Sequence, residues 1–285
     1  MSVSQFPSQI EIIKCHPCFS EQAHGRVGRV HLPVAPRCNI HCAFCERRVC
    51  ANLTMQHPGW ARRLLSPADA FELVHKLVKE RPGERFVVGV AGPGEPLANA
   101  ETFEALALVH QAFPALMKCV SSNGLLLEKT LPQLLEVGIS ALTVTVNSPD
   151  SKVGGQIYRW VRYDGTTYRG QQAAEILIER QRHGIQAALE AGLTVKVNSV
   201  LIPGVNDRHM VHLARQLKAL GVHLMNIMPL IPGGLMADRR PPTCEELQQA
   251  RTDCEAILPQ FRLCEQCRAD VIRFPGKARS MEDMQ

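Results

Sequence analysis

The sequence lacks the features of a membrane-embedded or exported protein. Its 285 residues contain no apolar run of about 18, the length that a membrane-spanning helix requires. The start, Met1 to Lys14, has no apolar stretch followed by small residues, as a secretory signal has. No segment rich in proline, glycine, serine or charge of one sign divides the chain. We therefore expect one folded unit in the cytoplasm, without a membrane partner.

Aromatic residues and blocks of like charge are also scarce. The chain has three Tyr and two Trp, and its formal net charge of +5 comes from scattered Lys and Arg. Nucleic-acid binding usually needs a clustered basic surface and rings on which bases stack. We therefore expect no nucleic-acid partner.

Cysteine, in contrast, is abundant, with eleven residues. Disulfides are disfavoured in a reducing compartment, and an odd number of thiols cannot pair completely. Metal binding is therefore the better explanation for these cysteines.

Three of the cysteines form a compact motif at the predicted end of the first strand. Cys38, Cys42 and Cys45 have the spacing C-x3-C-x2-C, with Phe44 before the last cysteine. A cubane cluster normally takes four thiolates, so three leave one iron open for a substrate. The motif resembles that of the radical S-adenosylmethionine (SAM) enzymes. The resemblance implies that the open iron chelates SAM and that an electron from the cluster cleaves its sulfonium.

Short β-rich runs alternate with helical periods through the middle of the chain, which predicts a parallel sheet with crossover helices. Polar and glycine-rich segments follow the strands, and barrel-like α/β enzymes place their active sites at that face. The pattern thus predicts an α/β fold with a partial (β/α)6 TIM barrel at 27–230, of the kind that the radical SAM resemblance implies. The segments at 1–26 and 231–285 form N- and C-terminal extensions, to which a closer family resemblance assigns cluster ligands. The predicted strands are Val27–Ala35, Phe86–Ala91, Lys118–Ser121, Ala141–Val146, Thr194–Leu201 and Leu224–Met228.

A second motif, Gly92-Pro93-Gly94-Glu95-Pro96, follows the second predicted strand. Glycines let a backbone approach a ligand closely, although a plain turn could contain the same residues. Beside the cysteine triplet, the motif resembles the segment that binds the amino group of SAM. The resemblance implies a SAM pocket formed by Phe44, Gly92, Gly94, Glu95, Ser122, Asn147, Asn198 and Val200.

A closer resemblance spans roughly residues 15–270. It consists of short segments in a fixed order, which are His16–Ser20, His31–Pro36, Ala91–Asn99, Ser121–Leu125, Thr143–Asn147, Trp160–Gly170, Val195–Ser199, Ile202–Asp207 and Cys264–Asp270. In these segments the chain resembles the NifB family of nitrogenase cofactor maturases. It is similar to the short form, which lacks an appended carrier-like domain.

That resemblance implies two further four-iron clusters, so three in all. One substrate cluster (K1) would be held by His31, Cys50 and Cys119, and the other (K2) by Cys18, Cys264 and Cys267. The family implies that one SAM methylates K2 and a second yields a 5′-deoxyadenosyl radical that removes hydrogen from the new carbon. Fusion of K1 and K2 around the resulting carbide gives the eight-iron precursor of the cofactor (NifB-co). Three cysteines then have no role, namely Cys15, Cys244 and Cys254.

The residues by themselves support part of this ligand set. Alternation along the first strand places His31 opposite an apolar face, so we expect it to point into the barrel. A hydrogen-bonded core histidine and a buried free thiol at Cys119 are the alternatives to ligation. The pair Cys264 and Cys267 binds metals well but does not specify the metal.

The resemblance also implies partners. These are an electron donor such as ferredoxin or flavodoxin, a donor of iron–sulfur clusters, and a carrier or scaffold that accepts the product. The sequence does not identify any of them.

The stretch from Glu46 to Gly59 departs from the family pattern. Cys50 follows the triplet one residue early, and Leu53 replaces a glutamate that would be a plausible K1 ligand. Leucine cannot ligate iron, so His57 and Glu46 become the candidate substitutes.

Three other functions remain open. The triplet with Cys50 or His41 would suit a structural zinc site. The chain could be another radical SAM enzyme whose extra clusters serve an organic substrate, or a non-catalytic iron–sulfur scaffold. SAM cleavage would separate the enzymes from a scaffold.

Overall fold

The structure is a computed structural model that describes residues 9–53 and 57–279. Residues 54–56, within the divergent stretch, lie outside the described part, as do the outer ends of the two predicted extensions. Among the described helices, none is both long and apolar enough to cross a bilayer.

The described strands include all six that the sequence predicts. They are β1 (Gly28–His31), β2 (Ile40–Cys42), β3 (Arg48–Val49), β4 (Trp60–Ala61), β5 (Phe86–Val90), β6 (Lys118–Ser122), β7 (Ile139–Thr145), β8 (Tyr158–Tyr163), β9 (Thr166–Arg169), β10 (Thr194–Leu201), β11 (Leu224–Pro229), β12 (Ile272–Phe274) and β13 (Lys277–Arg279).

The helices alternate with these strands through the centre of the chain. They are α1 (Gln9–Cys15), α2 (Glu21–His24), α3 (Pro67–Glu80), α4 (Ala100–Ala112), α5 (Leu127–Glu136), α6 (Ser151–Ile157), α7 (Gly170–Glu190), α8 (Met210–Ala219) and α9 (Cys244–Glu255).

One large sheet organises the molecule, with the strand order β11-β10-β7-β6-β5-β1-β12-β13. Within the described ranges, β1, β5, β6, β7, β10 and β11 pair in parallel, each joined to the next through helices. This arrangement confirms the predicted α/β partial barrel of six β/α units. β12 and β13 add an antiparallel edge that the sequence analysis did not predict.

Local sequence explains these elements. All five residues of β5 are buried, as expected for a parallel strand covered on both faces. The Ser66 side chain caps α3 by accepting a hydrogen bond from the Asp69 amide (3.1 Å), and Pro67 opens the helix. Ala70, Val74 and Leu77 then form its buried face.

The first strand is shorter than predicted because it ends at His31 rather than Ala35. Leu32 still donates to the Gly89 carbonyl (2.9 Å), but the next residue, Pro33, has no N–H with which to continue the ladder. The chain therefore leaves the sheet just before the cysteine triplet.

Residues 260–271 form a C-terminal strap that connects the two edge strands of the parallel sheet. The strap begins beside β11, where the Phe261 amide donates to the Met225 carbonyl (2.7 Å). It reaches β1 where the His31 amide donates to the Val271 carbonyl (2.8 Å). The strap thus places Cys264 and Cys267 across the open side of the partial barrel.

Candidate active site

A cavity of about 1730 Å³, counted with its open mouth, extends through the partial barrel. In β1, β7 and β10 alternate residues line it, as the two-residue repeat of a strand requires. Its upper end lies at the carboxyl ends of the strands, where the sequence analysis expects the site. It also continues to a lower end lined by residues near the strand starts, which include Arg29 and Lys196.

The predicted cysteine triplet lines the upper end. Cys42 closes β2, which pairs with β8, and the Cys45 amide donates to the Cys42 carbonyl (3.0 Å). Burial raises the pKa of Cys38 to about 11, and burial likewise raises the pKa values of Cys42 and Cys45. Such thiols stay protonated unless a metal stabilises their thiolates, so binding iron would release protons.

The loop after β5 is fixed against the loop that carries the triplet. The Glu95 amide donates to the Arg37 carbonyl (2.8 Å), and a Cβ on Gly94 would collide with that same carbonyl group. The Glu95 carboxylate accepts hydrogen bonds from the Ser122 hydroxyl (2.6 Å) and the Asn123 amide (2.7 Å). Burial raises the pKa of Glu95 to about 7. These contacts fix the segments that follow β1, β5 and β6 relative to one another.

Asn147 has an unused donor inside the cavity. Its Oδ1 accepts from the Val200 amide (2.8 Å), and its carbonyl accepts from Nδ2 of Asn206 (2.9 Å). Nδ2 of Asn147 is buried with no partner in the described part of the chain. A buried donor without an acceptor is costly, so it fits a polar ligand such as SAM.

Seven of the eight predicted SAM-pocket residues line the cavity. They are Phe44, Gly94, Glu95, Ser122, Asn147, Asn198 and Val200. Gly92 is not among the described lining residues, although both of its chain neighbours are.

His31 and Cys119 lie side by side in the middle of the cavity. They flank Gly89 in one row across β1, β5 and β6, where a Cβ on Gly89 would lie 2.8 Å from the Cys119 Sγ. Nδ1–H of His31 donates to the Arg268 carbonyl (3.0 Å), so the Nε2 lone pair is free. Burial lowers the pKa of His31 to about 4 and raises that of Cys119 to about 12.

Cys50, the third residue predicted with this pair, lies elsewhere. It is exposed, its amide donates to the Ala61 carbonyl (3.0 Å), and it is absent from the described lining of the cavity. Leu53 is buried, also away from that lining. The structure therefore does not bring Cys50 together with His31 and Cys119.

Cys18, Cys264 and Cys267 all line the cavity. Cys18 comes from the N-terminal segment and the other two from the strap. Burial raises the pKa of Cys267 to about 11, and the neighbouring Cys18 and Cys264 thiols add to that shift. The structure thus brings together the three predicted K2 ligands.

Two buried cations border these cysteines. Arg29 places NH1 3.9 Å from the Cys18 Sγ. Lys196 donates to the Cys18 carbonyl (2.9 Å) and lies 5.2 Å from the ring centroids of Phe19 and Phe261. Arg29 also pairs with Glu265 (3.1 Å), so both cations have negative or π-electron partners, and they give this end of the cavity a positive lining.

His16 is a third lower-end residue that the sequence analysis did not identify. Its Nδ1 accepts from the Cys18 amide (3.1 Å), which leaves the proton on Nε2. That Nε2 is buried, without a partner in the described residues, and its ring lines the cavity. Strand alternation could have predicted that Arg29 and Lys196 face the cavity. His16 precedes the first strand, so alternation gives no prediction for it.

The metal-binding side chains of the described residues are not gathered around one point. Among the described residues, no three His, Cys, Asp or Glu side chains are close enough to hold one metal ion. A closed zinc site needs four ligands around one point, whereas a cubane takes each thiolate on a different iron. The cysteines are free in the described structure, and Cys254 is buried in the core while Cys244 is exposed.

A family model described as the radical SAM superfamily matches residues 32–217. Because this stretch is more than half of the chain and contains the triplet, the chain belongs to that superfamily and is a radical SAM enzyme. Membership implies a [4Fe-4S] cluster and SAM as cofactors.

Curated relatives define the family within this class. The FeMo cofactor biosynthesis protein NifB of Methanocaldococcus jannaschii is 47% identical over 272 residues, covering 95% of this chain and 90% of that protein. NifB of Methanocaldococcus infernus is 46% identical and covers 92% and 86%. NifB of Klebsiella pneumoniae is 43% identical, and the match covers 94% of this chain but 58% of that protein. The chain belongs to the NifB family.

Solved structures agree with the fold. A radical SAM methyltransferase from Sphaerobacter thermophilus has a TM-score of 0.51 at 21% identity, covering 83% of this chain and 64% of that one. Native anSMEcpe with bound AdoMet has a TM-score of 0.51 at 15% identity, covering 71% and 51%. At these identities the likeness concerns the fold alone.

Proposed function

We propose that the chain fuses two [4Fe-4S] substrate clusters, with insertion of a SAM-derived carbide, into the eight-iron precursor of the nitrogenase cofactor. The observation that carries this proposal is the cavity below the triplet. Five further metal-binding side chains line it, namely His31, Cys119, Cys18, Cys264 and Cys267, with Cys119 and Cys18 as neighbours. Relatives named for FeMo cofactor biosynthesis support the same function.

Cys38, Cys42 and Cys45 hold the resident cluster in this proposal. Bound together, the cluster and SAM supply reductive cleavage of the sulfonium and thus a radical for hydrogen abstraction. Glu95 fixes the ends of β5 and β6, while Asn147 offers its free Nδ2–H to SAM. The buried walls exclude water from the reacting groups.

The substrate clusters occupy the rest of the cavity. K1 binds at His31 and Cys119, whose side chains share the space over Gly89. K2 binds at Cys18, Cys264 and Cys267, between the extension at 1–26 and the extension at 231–285 that flank the barrel at 27–230. Cys50 as a further K1 ligand is a prediction from the family resemblance.

Arg29, Lys196 and His16 assist at the K2 end. A cluster with three thiolates is anionic, and the two buried cations offset that charge. Nε2–H of His16 supplies a hydrogen-bond donor to sulfur, an interaction that raises cluster potentials. Both effects favour holding a reduced, negatively charged substrate.

Partners follow from this chemistry. The reaction needs a one-electron donor of the ferredoxin or flavodoxin type, a source of [4Fe-4S] clusters and an acceptor for the product. Free thiols and oxygen-sensitive clusters suit the reducing cytoplasm.

The test is to reconstitute the protein without oxygen and supply SAM and a reductant. We expect both S-adenosylhomocysteine and 5′-deoxyadenosine to form without an organic substrate. Iron analysis should give about twelve irons per chain, as three cubanes require.

The other functions give different results. 5′-Deoxyadenosine without S-adenosylhomocysteine would indicate an enzyme that acts on an organic substrate, and about four irons per chain would exclude the assembly of two substrate clusters. Absence of SAM cleavage would indicate a scaffold. Each of these results would overturn the proposed function.

A further inference from the structure

The divergent stretch from Glu46 to Gly59 presents one metal-binding side chain to the cavity. Within its described residues, His57 lines the cavity, whereas Cys50, Leu53 and Glu46 do not. Glu46 instead accepts a hydrogen bond from Arg48 (3.1 Å). His57 is therefore the candidate replacement for the carboxylate that is absent at Leu53.

The hydrogen bond of the His57 ring leaves it ready to bind a metal. Its Nδ1 lies 2.6 Å from the Pro58 carbonyl, so Nδ1 carries the proton and donates it. The lone pair of Nε2 is then available, and ligating histidines characteristically donate their other N–H to a carbonyl or carboxylate in this way. His31 has the same arrangement with the Arg268 carbonyl.

The other cavity histidines differ. His16 accepts a hydrogen bond at Nδ1, so its Nε2 carries a proton and has no lone pair for a metal. His41 packs its ring on Trp160 (centroids 6.0 Å apart) next to the triplet. Only His31 and His57, among the described lining residues, pair a free Nε2 with an Nδ1–H bound to a carbonyl.

His57 is buried, and its stacking partner Trp60 is bound to the strap that also holds the His31 ring. The His57 side chain is 9% exposed and stacks on Trp60, with ring centroids 4.7 Å apart. The Trp60 carbonyl accepts from the Ala269 amide (2.9 Å), one residue from the carbonyl that holds the His31 ring. The His31 ring and the backbone of Trp60, on which His57 stacks, are therefore bound to two successive residues of the strap, Arg268 and Ala269.

We propose that His57 ligates the K1 substrate cluster through Nε2, together with His31 and Cys119, and takes the place of the carboxylate absent at Leu53. This inference rests on the proposed function, which supplies the cluster. Iron–sulfur clusters accept imidazole nitrogen, as Rieske centres do with two histidines. Two neutral nitrogens and one thiolate would leave K1 less tightly bound than three thiolates, which suits a substrate that must leave.

The test uses the full-length protein, reconstituted with iron and sulfide and reduced, in natural-abundance and 15N-histidine forms. Pulsed EPR should detect two distinct histidine nitrogen couplings. The variant His57→Phe keeps a ring on Trp60 but removes the ligand, so it should lose about four irons after desalting and, with that cluster, both histidine couplings. His31→Phe should give the same double loss.

The matched control is His75→Phe, because His75 also stacks on an aromatic ring, Phe71, but on the outer helix α3. It should keep both couplings and all the iron. His57→Glu is the second variant. It should keep the iron and the His31 coupling but lose the His57 coupling. Circular dichroism of each iron-free variant checks folding.

The outcomes separate this inference from the proposed function. If His57→Phe and His57→Glu both keep two couplings, His57 is not a ligand and the inference is wrong, although K1 stands. If Cys50→Ser loses the iron while His57→Phe retains it, Cys50 is the ligand instead. If the wild-type protein binds only the triplet cluster and shows no histidine coupling, the proposed function itself fails.

Discussion

At the scale of single residues, the histidines that line the cavity differ in whether Nδ1 donates or accepts a hydrogen bond. His31 and His57 donate from Nδ1 to backbone carbonyls, whereas His16 accepts there from the Cys18 amide. The same side chain thus presents a lone pair at two positions and an N–H at the third. Backbone partners, rather than the histidines themselves, fix this difference.

Glu95 gives a prediction that depends on pH. Its two oxygens accept from Leu97, Ser122 and Asn123, so Glu95→Gln must turn an NH2 toward at least one donor. We expect a loss of about 1–3 kcal/mol in the free energy of unfolding and weaker SAM binding. Urea denaturation and equilibrium binding of SAM measure the two effects.

The sign of the pH effect follows from burial, which raises the pKa of Glu95 from 4.5 to about 7. The folded state then binds a proton that the unfolded state releases, so the associated stability is complete below 4.5 and disappears as pH rises through about 7. Relative to Glu95→Gln, the wild type should lose about 2–3 kcal/mol between about pH 5 and about pH 8. A stability difference that is constant over this range would contradict the prediction. Glu80→Gln, on the exposed side of α3, controls for the loss of one carboxylate.

At the scale of elements, strand register decides which side chains meet. His31, Gly89 and Cys119 share one row because β1, β5 and β6 pair in parallel in that register. A shift of one residue in β5 would place a valine between His31 and Cys119. The sheet thus places His31 and Cys119, which are far apart in sequence, on either side of Gly89, which has no side chain.

Gly89→Ala tests this role of the sheet. The added methyl would lie 2.8 Å from the Cys119 Sγ, closer than real contacts allow, so the thiol must move. We expect loss of about four irons with the triplet cluster retained, as iron analysis and EPR would show. Gly25→Ala, where a Cβ meets nothing within 4 Å, should keep all the iron. Full iron content in Gly89→Ala would show that Cys119 does not hold a cluster.

Much of the parallel sheet could be predicted from sequence because its strands are buried on both faces. Such strands appear as short runs of Val and Leu, and the observed β10 (Thr194–Leu201) matches its prediction at both ends. The small sheet β2-β8-β9 was missed because β2 has only three residues and pairs with a strand far along the chain. Register between distant segments is not encoded locally.

The candidate site was predictable to a similar extent. The triplet could be recognised from its spacing, and strand alternation correctly placed His31 in the interior. The depth of the cavity was not predicted, because polar groups at strand ends indicate only the upper end. Arg29 and Lys196 lie among apolar neighbours in their strands, and their burial depends on packing against the N-terminal segment and the strap.

At the scale of the whole molecule, segments from both halves of the chain meet at the lower end. Glu265 in the strap accepts from Arg29 of β1 (3.1 Å) and also pairs with Arg273 of β12. His24 of α2 approaches the same carboxylate (3.4 Å). Besides these contacts, Cys18, Cys264 and Cys267 would share one cluster in the proposed function.

Removal of iron should therefore loosen these segments selectively. In hydrogen-exchange mass spectrometry of loaded and chelator-stripped protein, we expect exchange in residues 9–25 and 260–271 to accelerate at least about tenfold after stripping. Exchange in β5 and β7 should change little, because apolar packing holds them. Uniform acceleration over the whole chain would contradict the proposed placement of K2.

The path of the chain around the lower end also determines when a cluster can bind there. Cys18 leaves the ribosome early, whereas Cys264 and Cys267 emerge almost 250 residues later. The strap reaches β1 only at Val271, so the wall opposite Cys18 is complete only after that residue has emerged. In the proposed function, a cluster bound between them can be captured only after residue 271 has emerged from the ribosome. Its delivery would then follow folding of the barrel and the strap, and it would require a donor that recognises these folded segments rather than the nascent chain.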